Sequence, residues 1–438
     1  MKLFQQMLVA GASLSLIAPI AAQASDVINL EELNSYSRGK SKISRLDNKT
    51  FINEVSEEIV NLNGRVDGLE ARQNNYEAGS FSDTTTLDGK AAFWIGAIDG
   101  ATKVDADDNE SFQTGYIYSM NLNTSFTGDD NLYIRLKAGD VGGNPDTDSI
   151  WDSKPHYHIE TKDTGDSFNV DKMWYTGTLG ENVTYFVGPR IENYYMYITP
   201  SIYQPGALKS MKLGGNSNFG ASTDVGYGFK WETEGGFGIA SNIVSKAADS
   251  TGHLGKSDES KWDTQIAYTA DRWHVSATLS NQQGWNGQAY NATSLADGMA
   301  DAAGEDATGY ALRAYWKPED SGTAVPEISV GYDTRSVDDE VTSGAPKDSD
   351  SYFVGFTWRD MIQEDDRIGL AFTQPLKVTA CNGTCTTADV DPFVWEAYYS
   401  FRPNDSIEVR PAVFGGSDIF ADTEDDIFGA VLTSIFKF

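Results

Sequence analysis

From Ser80 to the last residue of the chain, apolar and polar residues alternate with a period of two. The alternation is clearest at residues 328–332, 352–358, 393–401 and 428–438. A period of two predicts β-strands with one apolar and one polar face. Soluble sandwiches and membrane barrels both have such strands, so the alternation alone does not decide what the apolar face contacts.

The lengths of the connections favour a membrane barrel. Short connections such as 271–272 and 403–404 alternate with long ones such as 140–166 and 191–221. An even strand count with this alternation places all turns at one rim, all long loops at the other, and both chain ends at the turn rim. We therefore predict an all-β transmembrane barrel of about 16 antiparallel strands over residues 80–438. The strands are predicted near residues 84–98, 113–126, 131–139, 167–179, 183–190, 222–232, 236–245, 262–270, 273–282, 308–317, 326–334, 351–360, 366–378, 391–402, 405–415 and 427–438.

A different period, with apolar residues alternately three and four apart, runs through residues 51–78. This is the heptad pattern of a coiled coil, and we predict a short periplasmic, parallel and trimeric one. β-branched residues at the first core position with Leu at the second would by themselves favour two helices, but the larger barrel interface should dictate three. A single amphipathic helix packed on the barrel is the alternative. The predicted seam consists of Ile52, Val55, Ile59, Leu62, Val66, Leu69, Gln73 and Tyr76.

The first 24 residues have the features of a secretory signal peptide. Lys2 precedes a short apolar stretch at residues 8–20, and Ala22-Gln23-Ala24 has the small-x-small form of a cleavage site. A membrane-anchoring helix is less consistent with this stretch, which is shorter than the ~20 residues that span a bilayer. We interpret residues 25–50 as a leader or linker and expect the protein to be exported.

Composition excludes several classes of protein. The chain has 438 residues with 33 Lys and Arg against 64 Asp and Glu, so its net charge of −31 opposes binding to nucleic acid. Two Cys exclude a disulfide-built scaffold. Cys381 and Cys385 are expected to form one disulfide in an oxidising compartment, in preference to a metal clip.

The basic residues of the strands point to a water-filled interior. Where apolar neighbours face lipid, the intervening charged residues must face inward, because Arg or Lys facing lipid at mid-membrane would cost ~2–4 kcal/mol. A barrel of about 16 strands is wide enough for an aqueous channel. The residues assigned to the lumen in this way are Arg135, Lys137, Arg313, Arg367, Glu408 and Arg410.

The sequence contains little that indicates catalysis or a cofactor. His274 and Ser276 share one face of a strand, but the alternation turns that face to the lumen, and the motifs of phosphate-binding loops, zincins and serine hydrolases are absent. His156 and His158 are more consistent with a solvated loop than with a metal site. Ca²⁺ or Mg²⁺ could bind an acidic loop and bridge to lipopolysaccharide phosphates, although a solvated acidic rim is the favoured interpretation. The residues concerned are Asp105, Asp107, Asp108 and Glu110.

Three segments carry a family resemblance: residues 64–72 (GRVDGLEAR), 81–90 (FSDTTTLDGK) and 122–128 (LNTSFTG). Together they resemble the cyanobacterial outer-membrane porins, also called iron uptake porins. The resemblance implies a signal peptide, an S-layer-homology domain, a coiled coil and a C-terminal barrel. Residues 25–50 are too short for a complete S-layer-homology domain, so that region is truncated relative to the family. A terminal Phe is shared by many outer-membrane barrels, which implies an insertion signal at Phe436 and Phe438.

Trimeric porins narrow their channel with the third long loop. By that resemblance Arg190, Glu192, Lys209 and Lys212 are the predicted constriction, with an exposed cap as the alternative role of the loop. The predicted function is passive diffusion of small hydrophilic solutes and inorganic ions, with wall cations favouring anions, through a homotrimer in the outer membrane. Both chain ends would be periplasmic, and the partners would be membrane lipid and lipopolysaccharide. A structural or adhesion barrel with a plugged lumen, linking the outer membrane to the cell wall, is the alternative.

Overall fold

A computed structural model of the chain describes the barrel region with gaps in its longer connections. All described residues belong to the unit that begins at Phe81. The predicted signal peptide, linker and coiled coil, including the seam from Ile52 to Tyr76, lie outside the described residues. The described residues are 84–99, 112–141, 151, 158–199, 201–215, 224–246, 253, 259–285, 291–293, 306–337, 344–384, 391–418 and 426–438.

The described residues form a closed barrel of sixteen antiparallel strands, which confirms the predicted fold and strand number. Most predicted bounds agree within three residues; β12 begins earlier, in a segment with bulges against β13. Within the described part of the chain, no helix is both long and apolar enough to cross a bilayer. The strands are β1 (Thr85–Asp99), β2 (Gln113–Thr124), β3 (Asn131–Gly139), β4 (Asn169–Leu179), β5 (Val183–Ile191), β6 (Asp224–Glu232), β7 (Phe237–Lys246), β8 (Glu259–Thr269), β9 (Trp273–Gln283), β10 (Ala307–Trp316), β11 (Glu327–Val337), β12 (Pro346–Arg359), β13 (Arg367–Cys381), β14 (Phe393–Asn404), β15 (Ile407–Ser417) and β16 (Ile427–Lys437).

The first and last strands close the barrel. β1 pairs antiparallel with β16, with Lys90 opposite Lys437. Beyond the ladder, the backbone N–H of Gly89 donates to the carbonyl of Phe438 at 2.8 Å, and the N–H of Phe438 donates back at 3.1 Å. A Cβ atom at Gly89 would approach the Ser119 carbonyl oxygen to 2.4 Å and the Phe438 ring to 2.7 Å. Glycine therefore permits the close contact at the closure.

The two faces of the wall differ as the alternation predicts. In β9 the odd-numbered residues Trp273 and Val275 are exposed on the outside, whereas His274 and Ser276 are buried on the inside. Large apolar residues form an exposed outer band, as a lipid-facing surface requires. Members of this band include Phe93, Val187, Phe229, Trp262, Ile266, Tyr310, Leu312, Val330, Tyr352, Phe428 and Phe436.

The inner face is less polar than the sequence suggests. Trp94, Phe353 and Phe414 all point inward and are almost fully buried. They belong to an apolar cluster together with Trp151 and Leu208, which lie in long connections between strands. Parts of the long connections therefore pack inside the barrel, and this packing determines where the lumen can hold water.

Candidate functional site

The connection between β5 and β6, which we call loop 3 (residues 192–223), enters the barrel. Its described part contains two short 3-10 segments, Asn193–Met196 and Lys209–Gly214. Met196, Leu208 and Met211 are completely buried. Loop 3 therefore lies against the inner wall instead of forming an exposed cap.

A buried carboxylate on β14 anchors the middle of loop 3. Glu396 is fully buried. It accepts four hydrogen bonds, from the Tyr203 hydroxyl (2.8 Å) and from the backbone N–H groups of Gly206 (2.9 Å), Ala207 (3.0 Å) and Leu208 (2.8 Å). Hydrogen bonds to an ionised acceptor are stronger than those between neutral groups. Glu396 thereby fixes a chain segment that is almost 200 positions earlier in the sequence.

Further anchors hold both ends of the described part of loop 3. On β8, the Gln265 side chain accepts from the backbone N–H of Ile198 at 2.8 Å and donates to its carbonyl at 3.2 Å. On β10, Arg313 donates from Nε to the Leu213 carbonyl at 2.8 Å, and it also pairs with Asp333 at 2.8 Å. Arg313 lies on the inner wall, where the sequence assigns it, and its guanidinium supports loop 3.

A β-bulge in β4 brings extra charge to the inner wall. Arg135 pairs in register with Lys172 and Leu136 with Val170, so Asp171 is an additional residue between them. Such a bulge re-aims side chains, and here Asp171 and Lys172 both belong to the lumen. Asp171 forms an ion pair with Arg135. The sequence did not predict either residue, because the period of two breaks at this point.

Two of the predicted constriction residues are tied to neighbouring parts of the lumen. Glu192, at the start of loop 3, forms an ion pair with the buried Lys172. Lys209 is also buried, and its Nζ donates to the Thr161 carbonyl at 3.2 Å. Thr161 belongs to the connection between β3 and β4, which we call loop 2 (residues 140–168). Loops 2 and 3 therefore contact each other inside the barrel.

Lys212 of loop 3 lies close to an aromatic ring and to other cations of the lumen. Its Nζ lies 5.8 Å from the centroid of the Tyr194 ring. Burial, together with the positive charges of Lys90 and Arg135, lowers the pKa of Lys212 to about 8. Lys212 therefore remains mostly protonated at neutral pH, and it interacts electrostatically with Lys90 of β1 and Arg135 of β3.

Arg190 is not brought into this group. The register between β5 and β6 shifts between Gly188 and Ile191, which adds one residue to β5. Ile191 is completely buried and would contact a Cβ atom at the inward position of Gly226. Arg190 is exposed at the end of β5, so the structure does not bring this one of the four predicted constriction residues into the lumen with Glu192, Lys209 and Lys212.

A second buried carboxylate forms ion pairs with several cations near the turn rim. Glu408 on β15 is 3% exposed and accepts a hydrogen bond from Ser400 at 2.9 Å. Four cationic groups from β13, β14, β15 and β16 surround it: Arg367 at 3.6 Å, Arg402 at 3.8 Å, Arg410 at 3.3 Å and Lys437 at 3.2 Å.

Glu160 of loop 2 links the cations around Glu408 to Lys90 on β1. It forms ion pairs with Lys90 at 2.5 Å and with Arg410 at 3.3 Å. Burial opposes its ionisation, but Lys90 and Arg410 outweigh that effect and lower the pKa of Glu160 to about 2. The carboxylate is therefore ionised throughout the physiological range and bridges β1 to β15.

These contacts define a group that we call the basic cluster. Its carboxylates are shared among a larger number of cations, so the cluster carries a net positive charge within a chain whose net charge is −31. The cluster comprises Lys90, Arg135, Lys137, Lys162, Lys172, Lys209, Lys212, Arg367, Arg402, Arg410 and Lys437, with the carboxylates Glu160, Asp171, Glu192 and Glu408.

The predicted metal sites and the predicted disulfide lie only partly within the described residues. Among the described residues, no group of three or more His, Cys, Asp or Glu is arranged to hold a metal ion. His158 is completely buried, contrary to the expected solvated loop, and burial lowers its pKa to about 3. Cys381 is disulfide-bonded. Its predicted partner Cys385, and the acidic residues Asp105, Asp107, Asp108 and Glu110, lie outside the described residues.

Comparisons of the sequence with known proteins found two relatives. No family model matches the chain. The uncharacterized protein alr4550 of Nostoc sp. is 28% identical in an alignment of 424 residues that covers 87% of this chain and 70% of that protein. The uncharacterized protein sll0772 of Synechocystis sp. is 25% identical over 407 residues, covering 83% and 70% of the two chains.

Two solved structures share the barrel architecture. The anion-selective porin from Comamonas acidovorans superposes with a TM-score of 0.54 at 11% identity, covering 81% of this chain and 99% of that one. OmpT, an outer membrane protein of Vibrio cholerae, in a form lacking loop L8, gives a TM-score of 0.51 at 11% identity with the same coverage. The chain therefore has the fold of the sixteen-stranded outer-membrane porins.

Proposed function

We propose that the protein is an outer-membrane porin through which small hydrophilic solutes and inorganic ions diffuse passively. The observation that carries this proposal is the basic cluster inside a closed barrel of sixteen strands. Within the cluster, the side chains of Lys90, Lys162 and Lys437 remain 35%, 39% and 41% exposed. Lysine side chains that are exposed to this extent inside the barrel require water beside them, because unsolvated charge is costly.

The proposal includes the outer membrane as location, periplasmic chain ends, and lipid and lipopolysaccharide around the apolar outer band. The Nostoc and Synechocystis relatives agree with the resemblance to cyanobacterial porins, and iron uptake belongs to that resemblance alone. One structural neighbour is an anion-selective porin. The positive lumen of this chain leads us to propose the same preference here, although that neighbour shares only the fold.

A plugged structural barrel is the competing proposal, and one observation favours it. The apolar packing of loop 3 against Trp94, Phe353 and Phe414 fills part of the lumen. A plug of this kind would leave a barrel that links the outer membrane to the cell wall without conducting ions.

Single-channel recording distinguishes the two proposals. Purified protein inserted into a planar bilayer should give stepwise conductance in KCl, with a reversal potential in a salt gradient that reports preference for anions. The water around the exposed lysines is the physical basis for this result. Repeated insertion, verified by heat-modifiable migration of the barrel, without any conductance steps would support the plugged barrel.

We also propose that three copies assemble, as in trimeric porins, with the predicted coiled coil of residues 51–78 joining them. Native mass spectrometry of detergent-extracted protein should give a mass of three chains. The barrel interface is expected to set this number because Gly64 and Gly68 each cost about 1 kcal/mol of helix propensity in the coiled coil. A stable, conducting monomer or dimer would contradict the assignment.

A further inference from the structure

Most of the inner wall of the barrel is covered, but several charged side chains on it remain accessible to water. On the half formed by β8–β12, inward polar residues such as Gln265, Ser280 and Asp333 are at most 1% exposed. On the half that contains β1–β3, the inward residues Ala92 and Ile117 are equally buried, whereas the side chains of Lys90 and Arg135 are 35% and 18% exposed. Loop 3 covers part of the inner wall, since its anchors lie on β8, β10 and β14. Water and solutes therefore reach the inner wall at Lys90 and Arg135.

Four cations from different elements converge on this accessible part of the lumen. Lys90 comes from β1, Arg135 from β3, Lys162 from loop 2 and Lys212 from loop 3. Lys212 interacts electrostatically with Lys90 and Arg135. Lys137, on the same face of β3, interacts with Arg135, Lys162 and Lys90. The positive groups are thus mutually close although separate parts of the chain supply them.

The nearby carboxylates leave much of this positive charge uncompensated. Asp171 is shared between Arg135 and Lys162, at 3.5 Å from the Lys162 Nζ. Glu160 is shared between Lys90 and Arg410. Each carboxylate thus serves two cations and cannot neutralise both, and the Lys212 Nζ lies over the Tyr194 ring.

Mutual repulsion of this kind is relieved by an anion that several cations contact at once. Coulomb attraction increases in proportion to the charge of the anion, so a dianion gains more than chloride at the same distance. Arg binds such an anion with a planar fork, and Lys binds it as a mobile point charge.

We propose that Lys90, Arg135, Lys162 and Lys212 form a binding station for a multiply charged tetrahedral oxyanion on the accessible side of the lumen. This inference rests on the proposed porin function and names the class of solute that the same lumen recognises. A permeating oxyanion pauses at the station and, while it is bound, slows the passage of chloride. Inorganic phosphate is the probe, because at pH 7.5 it is largely a tetrahedral dianion.

The test uses the full chain in planar bilayers and in detergent. In bilayers, phosphate added to KCl at pH 7.5 should reduce the chloride current in a saturable way. Calorimetric titration in detergent should give a dissociation constant close to the half-blocking concentration. Lys162→Gln combined with Lys212→Gln should raise the dissociation constant and the half-blocking concentration by about tenfold or more, because two of the four contacts with a dianion are lost. Both substitutions leave the Glu160–Lys90 ion pair intact, which limits damage to the fold.

Lys230→Gln is the matched control. Lys230 lies on the inner side of β6, with its Nζ 5.3 Å from the centroid of the Phe186 ring, and is not part of the basic cluster. The control should retain wild-type phosphate affinity. Conductance without saturable phosphate block, or equal loss in the control, would overturn the binding station while leaving the porin proposal in place. Phosphate binding in detergent by a barrel that inserts but does not conduct would overturn the porin proposal and retain the site.

Discussion

Glu396→Ala should roughly double the single-channel conductance, because it releases the middle of loop 3 from the wall of a barrel that is wide enough for a larger channel. The four hydrogen bonds to this carboxylate each contribute about 1.5–3 kcal/mol when they involve a charged group. Without them the segment that includes Tyr203 and Leu208 loses its principal polar anchor. Planar-bilayer recording in 1 M KCl measures the change.

Two further variants make this result interpretable. Glu396→Gln keeps one acceptor oxygen and should give an intermediate conductance. Glu327→Ala is the matched control, since Glu327 pairs with Arg359 at 2.8 Å on the wall and does not contact loop 3. Limited proteolysis should cut loop 3 faster in the alanine variant of Glu396 alone. Wild-type conductance in a variant whose loop 3 has become protease-sensitive would show that loop 3 does not restrict the channel.

Replacing both Lys209 and Lys212 by Glu should move the reversal potential toward cation preference. We expect a shift of roughly 10–20 mV in a tenfold KCl gradient, against the ~59 mV that perfect selectivity would give. Lys212→Glu alone should produce most of it, because Lys209 is only 8% exposed and donates to Thr161. Lys317→Glu, which makes the same charge change on an exposed turn, should leave the reversal potential unchanged.

Ionic strength provides an independent check of this assignment. Charges on solvated loops are screened beyond ~10 Å at 0.1 M salt, whereas charges in a narrow lumen are screened less. Anion preference of the wild-type protein should therefore grow as salt increases, while the acidic loops lose their influence. An unchanged reversal potential in the double variant across several gradients would remove Lys212 from the constriction.

The alternation of apolar and polar residues and the lengths of the connections were together sufficient to predict the barrel. In β9 and β10 the alternation continues without interruption, and the sequence assigns Arg313 and His274 to the inner face where they lie. The prediction depends only on the strict period of two and on connection lengths, both of which are local properties. For this reason the strand number and most strand bounds could be predicted without any knowledge of distant contacts.

The site was predictable only where that period is unbroken. A bulge places Asp171 and Lys172 in the lumen, and another turns Arg190 out of it. The period of two therefore assigns the wrong face of the strand at these positions. Glu396 shows a different limit. Its inward position follows from alternation with Trp395, but its partners come from loop 3, and no local pattern indicates which distant segment will supply them.

The pairing of β1 with β16 has a consequence for how the molecule is made. Every other strand pair joins neighbours in the sequence and can form as a hairpin before the chain is complete. The seam between Lys90 and Lys437 cannot form until the final residues have arrived. Until then two strand edges remain unpaired, and such edges are templates for aggregation. The slowest stage of maturation should therefore be this last closure, and chaperones would matter most for chains in which all sixteen strands are present but the barrel is still open.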